Sequence, residues 1–189
     1  MNILIRKSNQ SDLQQAYELN KKCFSNHFSE SKIMSYLDDS FVIEKEDKKI
    51  IGVLLQGIII SRNPDLINMS DWNYKPDAFT PINDASKLFL ENNIYCKNIY
   101  GIAILYIDNT FRSMGLAQKL IEKHLQHWKN NTNITNKISC LNVRVSNSNA
   151  YNLYKKLGYQ DIAIIKNNYI FQDTFEDSIF MVKDLTSLT

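Results

Sequence analysis

The stretch Asn98-Ile99-Tyr100-Gly101-Ile102-Ala103-Ile104-Leu105-Tyr106-Ile107, then Asp108-Asn109-Thr110-Phe111, then Arg112-Ser113-Met114-Gly115-Leu116-Ala117, decides the fold. Its first ten residues are almost continuously apolar, the pattern of a central strand covered on both faces. Gly115 to Trp128 then sets Leu116, Leu120, Ile121, Leu125 and Trp128 on one stripe of an amphipathic helix. His124 and His127 on that helix are expected on its solvated face. A buried strand thus passes into a helix through a short loop ending in glycine. There the unpaired N–H groups of the helix's first turn point at one spot, and a small residue lets an anion approach the backbone. The loop is not a Walker loop, since no Gly-Lys-Ser/Thr follows, and it lacks the three-glycine dinucleotide fingerprint. On the hexapeptide alone, a helix-starting Gly115 beside a solvated Arg112 explains the pattern equally well.

Downstream, Ile138 to Val145 predicts a strand and Asn149 to Leu157 a helix with Ala150, Leu153 and Leu157 inward, stopped by Gly158. Tyr159 to Ile165 and Ile179 to Val182 are the closing strands. Upstream, Ile3 to Arg6 predicts a strand, and Ser11-Asp12 opens a helix carrying Leu13, Ala16, Leu19 and Phe24. A second short helix holds Ile33, Met34 and Leu37, and two strands follow at Phe41 to Glu44 and Ile50 to Ile60. From Ser61 to about Lys97 the pattern breaks: Pro64, Pro76 and Pro81 lie here with Trp72, Tyr74, Phe79 and a capped helical piece from Asp84 to Leu90. The aromatics there suit an acceptor wall or a dimer contact. The whole predicts one α/β domain, residues 1–189, with an excursion at about 61–97.

The chain of 189 residues carries 22 Lys+Arg against 20 Asp+Glu, a formal charge of +2, and its 44% hydrophobic content suits a sizeable core. With no basic block or recognition motif, no nucleic-acid partner is expected. No apolar run approaches the ~20 residues that span a bilayer, and the first residues do not resemble a signal peptide. A cytoplasmic location is expected, and monomer and homodimer both remain open. Cys23, Cys96 and Cys140 are odd in number and widely spaced, unlike a disulfide framework or a zinc site, so reduced thiols and no metal are expected.

Leu141-Asn142-Val143-Arg144-Val145-Ser146-Asn147-Ser148-Asn149-Ala150-Tyr151-Asn152-Leu153-Tyr154-Lys155-Lys156-Leu157-Gly158-Tyr159 completes a second block. Together with Arg112-x-x-Gly115-x-Ala117, in this order and at this separation, it resembles the GNAT superfamily of acetyl-CoA-dependent N-acetyltransferases. The resemblance is strong from about Asn98 to Tyr159 and fails across the excursion. It implies a mixed, mostly antiparallel central sheet flanked by helices and splayed at its central strands. It implies acetyl-CoA as co-substrate, with the backbone of Leu105, Tyr106 and Ile107 bonding the pantetheine arm. Arg112, Ser113, Met114, Gly115, Leu116, Ala117 and Gln118 would cradle the pyrophosphate. Asn147 would contact the pantetheine or cap the following helix. Tyr154 would point its hydroxyl at the thioester sulfur as general acid, although its face, shared with Ala150 and Leu157, equally suits a core-edge tyrosine.

The acceptor implied is a primary amine of a small molecule or a peptide. Phe24 and Phe28 would line its side of the site. Asn168-Tyr169 followed by Glu176-Asp177-Ser178 resembles the closing hairpin of ribosomal-protein and N-terminal acetyltransferases, with Tyr169 toward the acceptor. Asn142 departs from the pattern, because many relatives acting on protein N-termini carry Glu or His there, and an amide accepts no proton. Holding an amine of pKa about 10.4 deprotonated at pH 7 costs about 4.6 kcal/mol, whereas an α-amine near 8 costs about 1.4 kcal/mol. A low-pKa amine answers this, or a base elsewhere, for which His27, Glu176 and Asp177 are candidates. A non-catalytic acyl-CoA-binding module that has lost its base is the remaining alternative.

Overall fold

The computed structural model describes residues 2–24, 28–60, 79–94, 99–132, 137–171 and 174–186. In chain order its elements are β1 (Ile3–Lys7), α1 (Leu13–Cys23), α2 (Glu30–Leu37), β2 (Phe41–Lys45), β3 (Ile50–Ile60), β4 (Phe79–Pro81), α3 (Asp84–Phe89), β5 (Ile99–Ile107), α4 (Leu116–Asn130), β6 (Ile138–Arg144), α5 (Ser148–Lys156), β7 (Gln160–Phe171) and β8 (Thr174–Asp184). The architecture is α/β, with β1–β2, β2–β3, β4–β7, β6–β8 and β7–β8 paired antiparallel. The backbone divides into two compact units, Met1–Gly57 with Ile102–Asn130, and Ile58–Gly101 with Asn131–Thr189.

In the first unit the strands follow the order β1-β2-β3-β5. Ala16, Leu19, Ile33, Leu37, Leu120 and Ile121 from its helices are buried with Val42, Ile43, Ile51 and Val53 from its strands. Asn9 starts the turn before α1 with a capping box: its side chain accepts from Ser11 N–H, and Asp12 accepts from Asn9 N–H, both at 2.9 Å. Arg6 on β1 bridges buried Asp12 at 2.7 Å and Glu44 on β2 at 2.6 Å, tying that turn to the sheet.

In the second unit the order is β6-β8-β7-β4. The first residues of β5 lie here, and a Cβ at Gly101 would stand 2.1 Å from the Cys140 carbonyl oxygen of β6, so only glycine permits that approach. Phe79 of β4 meets the buried Phe180 ring of β8 edge-on at 5.1 Å.

Three expectations are corrected. The closing strands are longer than the apolar runs at Tyr159 to Ile165 and Ile179 to Val182. β7 continues through the polar Lys166-Asn167-Asn168, because a bulge with Asn167 at φ 52° is stapled from β8. Asp177 accepts from Lys166 Nζ at 2.6 Å and from Asn167 N–H at 3.0 Å, and Asn168 donates to Ser178 Oγ at 2.7 Å. Second, part of the excursion is a strand: Pro81 suits β4 because that strand lies at the end of the order. Third, His124 is not solvated but fully buried, its Nδ1 lying 2.5 Å from Gln56 Oε1 and 3.1 Å from Trp128 Nε1. His127 is largely covered, its ring 5.6 Å from Phe41 and 4.9 Å from Trp128. Trp72, Tyr74, Cys96 and His27 lie outside the described residues. Among the described residues no helix is long and apolar enough to cross a membrane.

Candidate active site

In the first unit, β5 ends at Ile107 and hands over to Asp108, which is almost wholly buried and carries the geometry of the turn. Asp108 N–H donates to the Ile51 carbonyl at 2.8 Å, and its carboxylate accepts from Thr110 N–H at 3.0 Å and from Lys22 Nζ at 2.8 Å. The Lys22 ammonium foremost, against the opposing effect of burial, holds this carboxyl below the usual range. Arg112 folds back so that Nε donates to the Ile107 carbonyl at 3.4 Å, the oxygen that Cys23 Sγ also reaches at 3.4 Å. Ser113 and Gly115 are left-handed, φ 62° and 72°, and a Cβ at Gly115 would meet open space. Lys119 N–H closes onto the Gly115 carbonyl at 3.2 Å, so the N–H groups of Leu116, Ala117 and Gln118 precede the first bond within the helix. Met114 is half-exposed and Leu116 buried. Together these set N–H groups without an intrahelical acceptor at the positive end of a fifteen-residue helix, an arrangement suited to receiving an anion.

On the same unit, buried Tyr106 donates its hydroxyl to the Ala16 carbonyl at 3.0 Å, and burial pushes its phenol well above the ordinary value. Phe24 stands edge-on to both Tyr106 and Phe28 at 5.8 Å. Leu105 is part-buried between Ile104 and Tyr106, which the alternating pleat sends to the opposite face.

The second unit gathers Asn142, Arg144, Asn147, Tyr154, Tyr169 and Glu176. The bulge in β7 sets Tyr169 opposite Glu176, and its hydroxyl donates to the Asn142 carbonyl at 3.3 Å. Asn147 accepts from Ala150 N–H at 3.3 Å and so caps α5. Tyr154 is 8% exposed, its ring edge-on to Tyr159 at 5.8 Å, and burial alone pushes its phenol up to about 12. Tyr159 is anchored in turn to Ser139 Oγ at 2.8 Å. Burial raises the Glu176 carboxyl, but the hydrogen bonds from Ser146 and nearby Arg144 outweigh it and hold the group below its usual value. Asp177, bound by Lys166, is held low as well. Neither carboxylate is tuned as a base for neutral pH, and sequence reasoning did not foresee that both are engaged by neighbours.

The family model described as Acetyltransferase (GNAT) family matches residues 13–159. The chain belongs to this family. It is accordingly an N-acetyltransferase. An N-alpha-acetyltransferase of Sulfurisphaera tokodaii is 22% identical over 168 residues, 87% of this chain and 84% of the relative. The ribosomal-protein-S18-alanine N-acetyltransferase of Escherichia coli is similar with a TM-score of 0.69 and 19% identity, over 97% of this chain and 94% of that one. Arabidopsis thaliana NAA60, solved with acetyl-CoA, is similar with a TM-score of 0.70 and 17% identity, over 97% and 99%. These structural likenesses establish the GNAT fold for this chain.

Proposed function

We propose that this GNAT enzyme acetylates the α-amino group of a peptide or protein from acetyl-CoA. The observation that carries the choice of acceptor is that Glu176 and Asp177, the described candidates for an enzyme base, are both engaged by partners that favour their ionised form. Asn142 stands on β6 where an amide cannot titrate, while Glu176 and Asp177 are held low by their partners. An acceptor whose own pKa is near 8 needs no enzyme base, and the α-amine is such a group. The names of the N-alpha- and ribosomal-protein acetyltransferases to which the chain is similar support the same reading.

The donor set fits acetyl-CoA: the N–H groups of Leu116, Ala117 and Gln118, the open space at Gly115 and the turn held by Asp108 suit a diphosphate. Acetyl-CoA supplies the thioester. The backbone of Leu105, Tyr106 and Ile107 would hold the pantetheine arm, and Phe24, Phe28, Asn142 and Tyr169 would border the acceptor. The free amine attacks the carbonyl carbon as the C–N bond forms and the C–S bond breaks. Tyr154 donates its hydrogen bond to the departing sulfur, which takes up a proton, while the acylated nitrogen releases one to solvent. The odd number and wide spacing of Cys23, Cys96 and Cys140 suit a reducing, cytoplasmic setting.

The test is turnover against short peptides with free N-termini, the same peptides blocked at the N-terminus but carrying lysine, and small polyamines. Free α-amines should be acetylated at least tenfold faster at pH 7, with a pH limb that tracks each acceptor's own pKa. A limb fixed near pH 6 to 7 for every amine would reveal an enzyme base and overturn this account. Preference for a polyamine would assign a small-molecule acceptor, and no turnover with any amine would leave a binding module.

A further inference from the structure

The helix that bears Tyr154 is only nine residues long, Ser148–Lys156, and a helix of that length is marginal unless its ends are held. Both ends of α5 are held from β8. At the start, Glu176 Oε1 accepts from Ser146 N–H at 2.6 Å, in the turn that delivers the Asn147 cap. At the end, Lys183 Nζ donates to the carbonyl of Leu157, the residue that closes the helix. Between them lies a Schellman cap: Tyr159 N–H donates to the Tyr154 carbonyl and Gly158 N–H to the Lys155 carbonyl, both at 3.0 Å. Tyr154 is therefore a residue of the cap itself, and its ring meets Tyr159 edge-on, the apolar contact that commonly accompanies this cap. Gly158 adopts φ 84°, and a Cβ there would stand 2.7 Å from Lys183 Nζ, so the same glycine permits the turn and admits the ammonium.

The signs of the two charges match the helix. A carboxylate bonds the residue before the N-cap, on the positive side of the helix, and an ammonium bonds the C-cap carbonyl, at its negative end. We propose that Glu176 and Lys183 are positioning residues that hold Tyr154 in register for catalysis by gripping the two ends of α5 from one strand. This rests on the reading of Tyr154 as the group that assists the departing sulfur. It assigns Glu176 an anchoring task in place of a base, and Lys183 a task that no sequence motif marks.

A double-mutant cycle in kcat tests it, with thermal melting recorded for every variant and kcat measured well below each midpoint. Lys183→Met keeps the aliphatic stem and removes the donor; kcat should fall three- to thirtyfold while KM for acetyl-CoA stays within about twofold. Lys183→Arg should recover at least half of the activity. Glu176→Ala should lower kcat in the same range, whereas Glu176→Gln, whose amide oxygen still accepts from Ser146 N–H, should retain most of it with an unchanged pH profile. Added to Tyr154→Phe, Lys183→Met should cost less than twofold more.

Full multiplication of the two losses, or wild-type kcat in Lys183→Met, would overturn the positioning role while leaving Tyr154 in place. Loss of a pH limb in Glu176→Gln would make Glu176 a base and overturn its anchoring role. Wild-type kcat in Tyr154→Phe alone would remove the reading of Tyr154, and the positioning role with it. Should Lys183→Met not fold, the Glu176→Ala and Glu176→Gln pair, alone and with Tyr154→Phe, decides by the same criteria.

Discussion

A phenol at about 12 is a weaker acid than a thiol near 8.5, so full proton transfer from Tyr154 to a free thiolate runs uphill by roughly 5 kcal/mol. Burial keeps the Tyr154 hydroxyl protonated across the working pH range, so in the proposed mechanism it acts as a hydrogen-bond donor on charge as it develops on sulfur rather than after it has formed. Tyr154→Phe keeps the ring against Tyr159 and removes only that donor. The turnover number should fall roughly ten- to a thousandfold, with the affinity for acetyl-CoA by calorimetry and the melting temperature little changed. Equal turnover would make Tyr154 a packing residue. Its spacing from Asn147 and Gly158 was legible in the chain; its burial and its place within the helix cap came from the fold.

The loop from Asp108 to Ala117 works as an element because three different constraints shape it. Asp108 is fixed by Lys22 and by the Ile51 carbonyl, Arg112 is folded onto the last carbonyl of β5, and Ser113 and Gly115 take left-handed backbone. Arg112 reads in the chain as a charge for phosphate, but its Nε is spent on the loop itself. Gly115→Val places a branched side chain at φ 72°, in the open space an anion would enter. It should weaken acetyl-CoA binding at least tenfold by calorimetry and lower stability by about 1–2 kcal/mol through left-handed strain. Unaltered binding would take this loop out of the site.

Across the molecule, acid should lower stability over two pH ranges, and the signs follow from the folded groups. Burial holds His124 neutral down to about 3, whereas the unfolded imidazole protonates near 6.5. Between those values the unfolded state binds the extra proton, so stability is intact above pH 6.5 and falls by roughly 1.4 kcal/mol per pH unit below it. Asp12 and Glu44 add a second loss at lower pH. For Asp12 burial opposes ionisation, but Arg6 and the Asn9 N–H prevail; for Glu44 the bonds from Lys48 and Arg6 dominate. Both folded carboxyls lie below their unfolded values, so their contribution is present above about pH 4.5 and is lost as pH falls through the folded values. Chemical denaturation at pH 7, 6, 5 and 4 should show the first decline, to which His127, also lowered by burial, contributes, and His124→Gln should remove most of it. A flat profile from pH 7 to 5 would show that His124 is protonated in the fold.

What the sequence determined by itself was whatever depends on neighbours along the chain. The apolar run of β5 before a glycine loop, the stripe on α4 and the Asn147 and Gly158 punctuation of α5 are local signals, and the α/β order and the family followed from them. The burial of His124 was legible too, since it lies four residues from both Leu120 and Trp128 on the buried stripe, but a polar residue type masked the spacing. Other features needed the fold because their partners are distant in the chain. β7 runs on through Lys166-Asn167-Asn168 because β8 supplies Asp177 and Ser178, and only the resulting bulge turns Tyr169 onto Asn142. Glu176 and Lys183 reach the ends of α5 from 30 and 26 residues away. A hydrophobic pattern records which face of an element is buried; it does not record which charged side chain, brought alongside by strand pairing, will satisfy an unpaired N–H or carbonyl there, and that choice belongs to the tertiary structure.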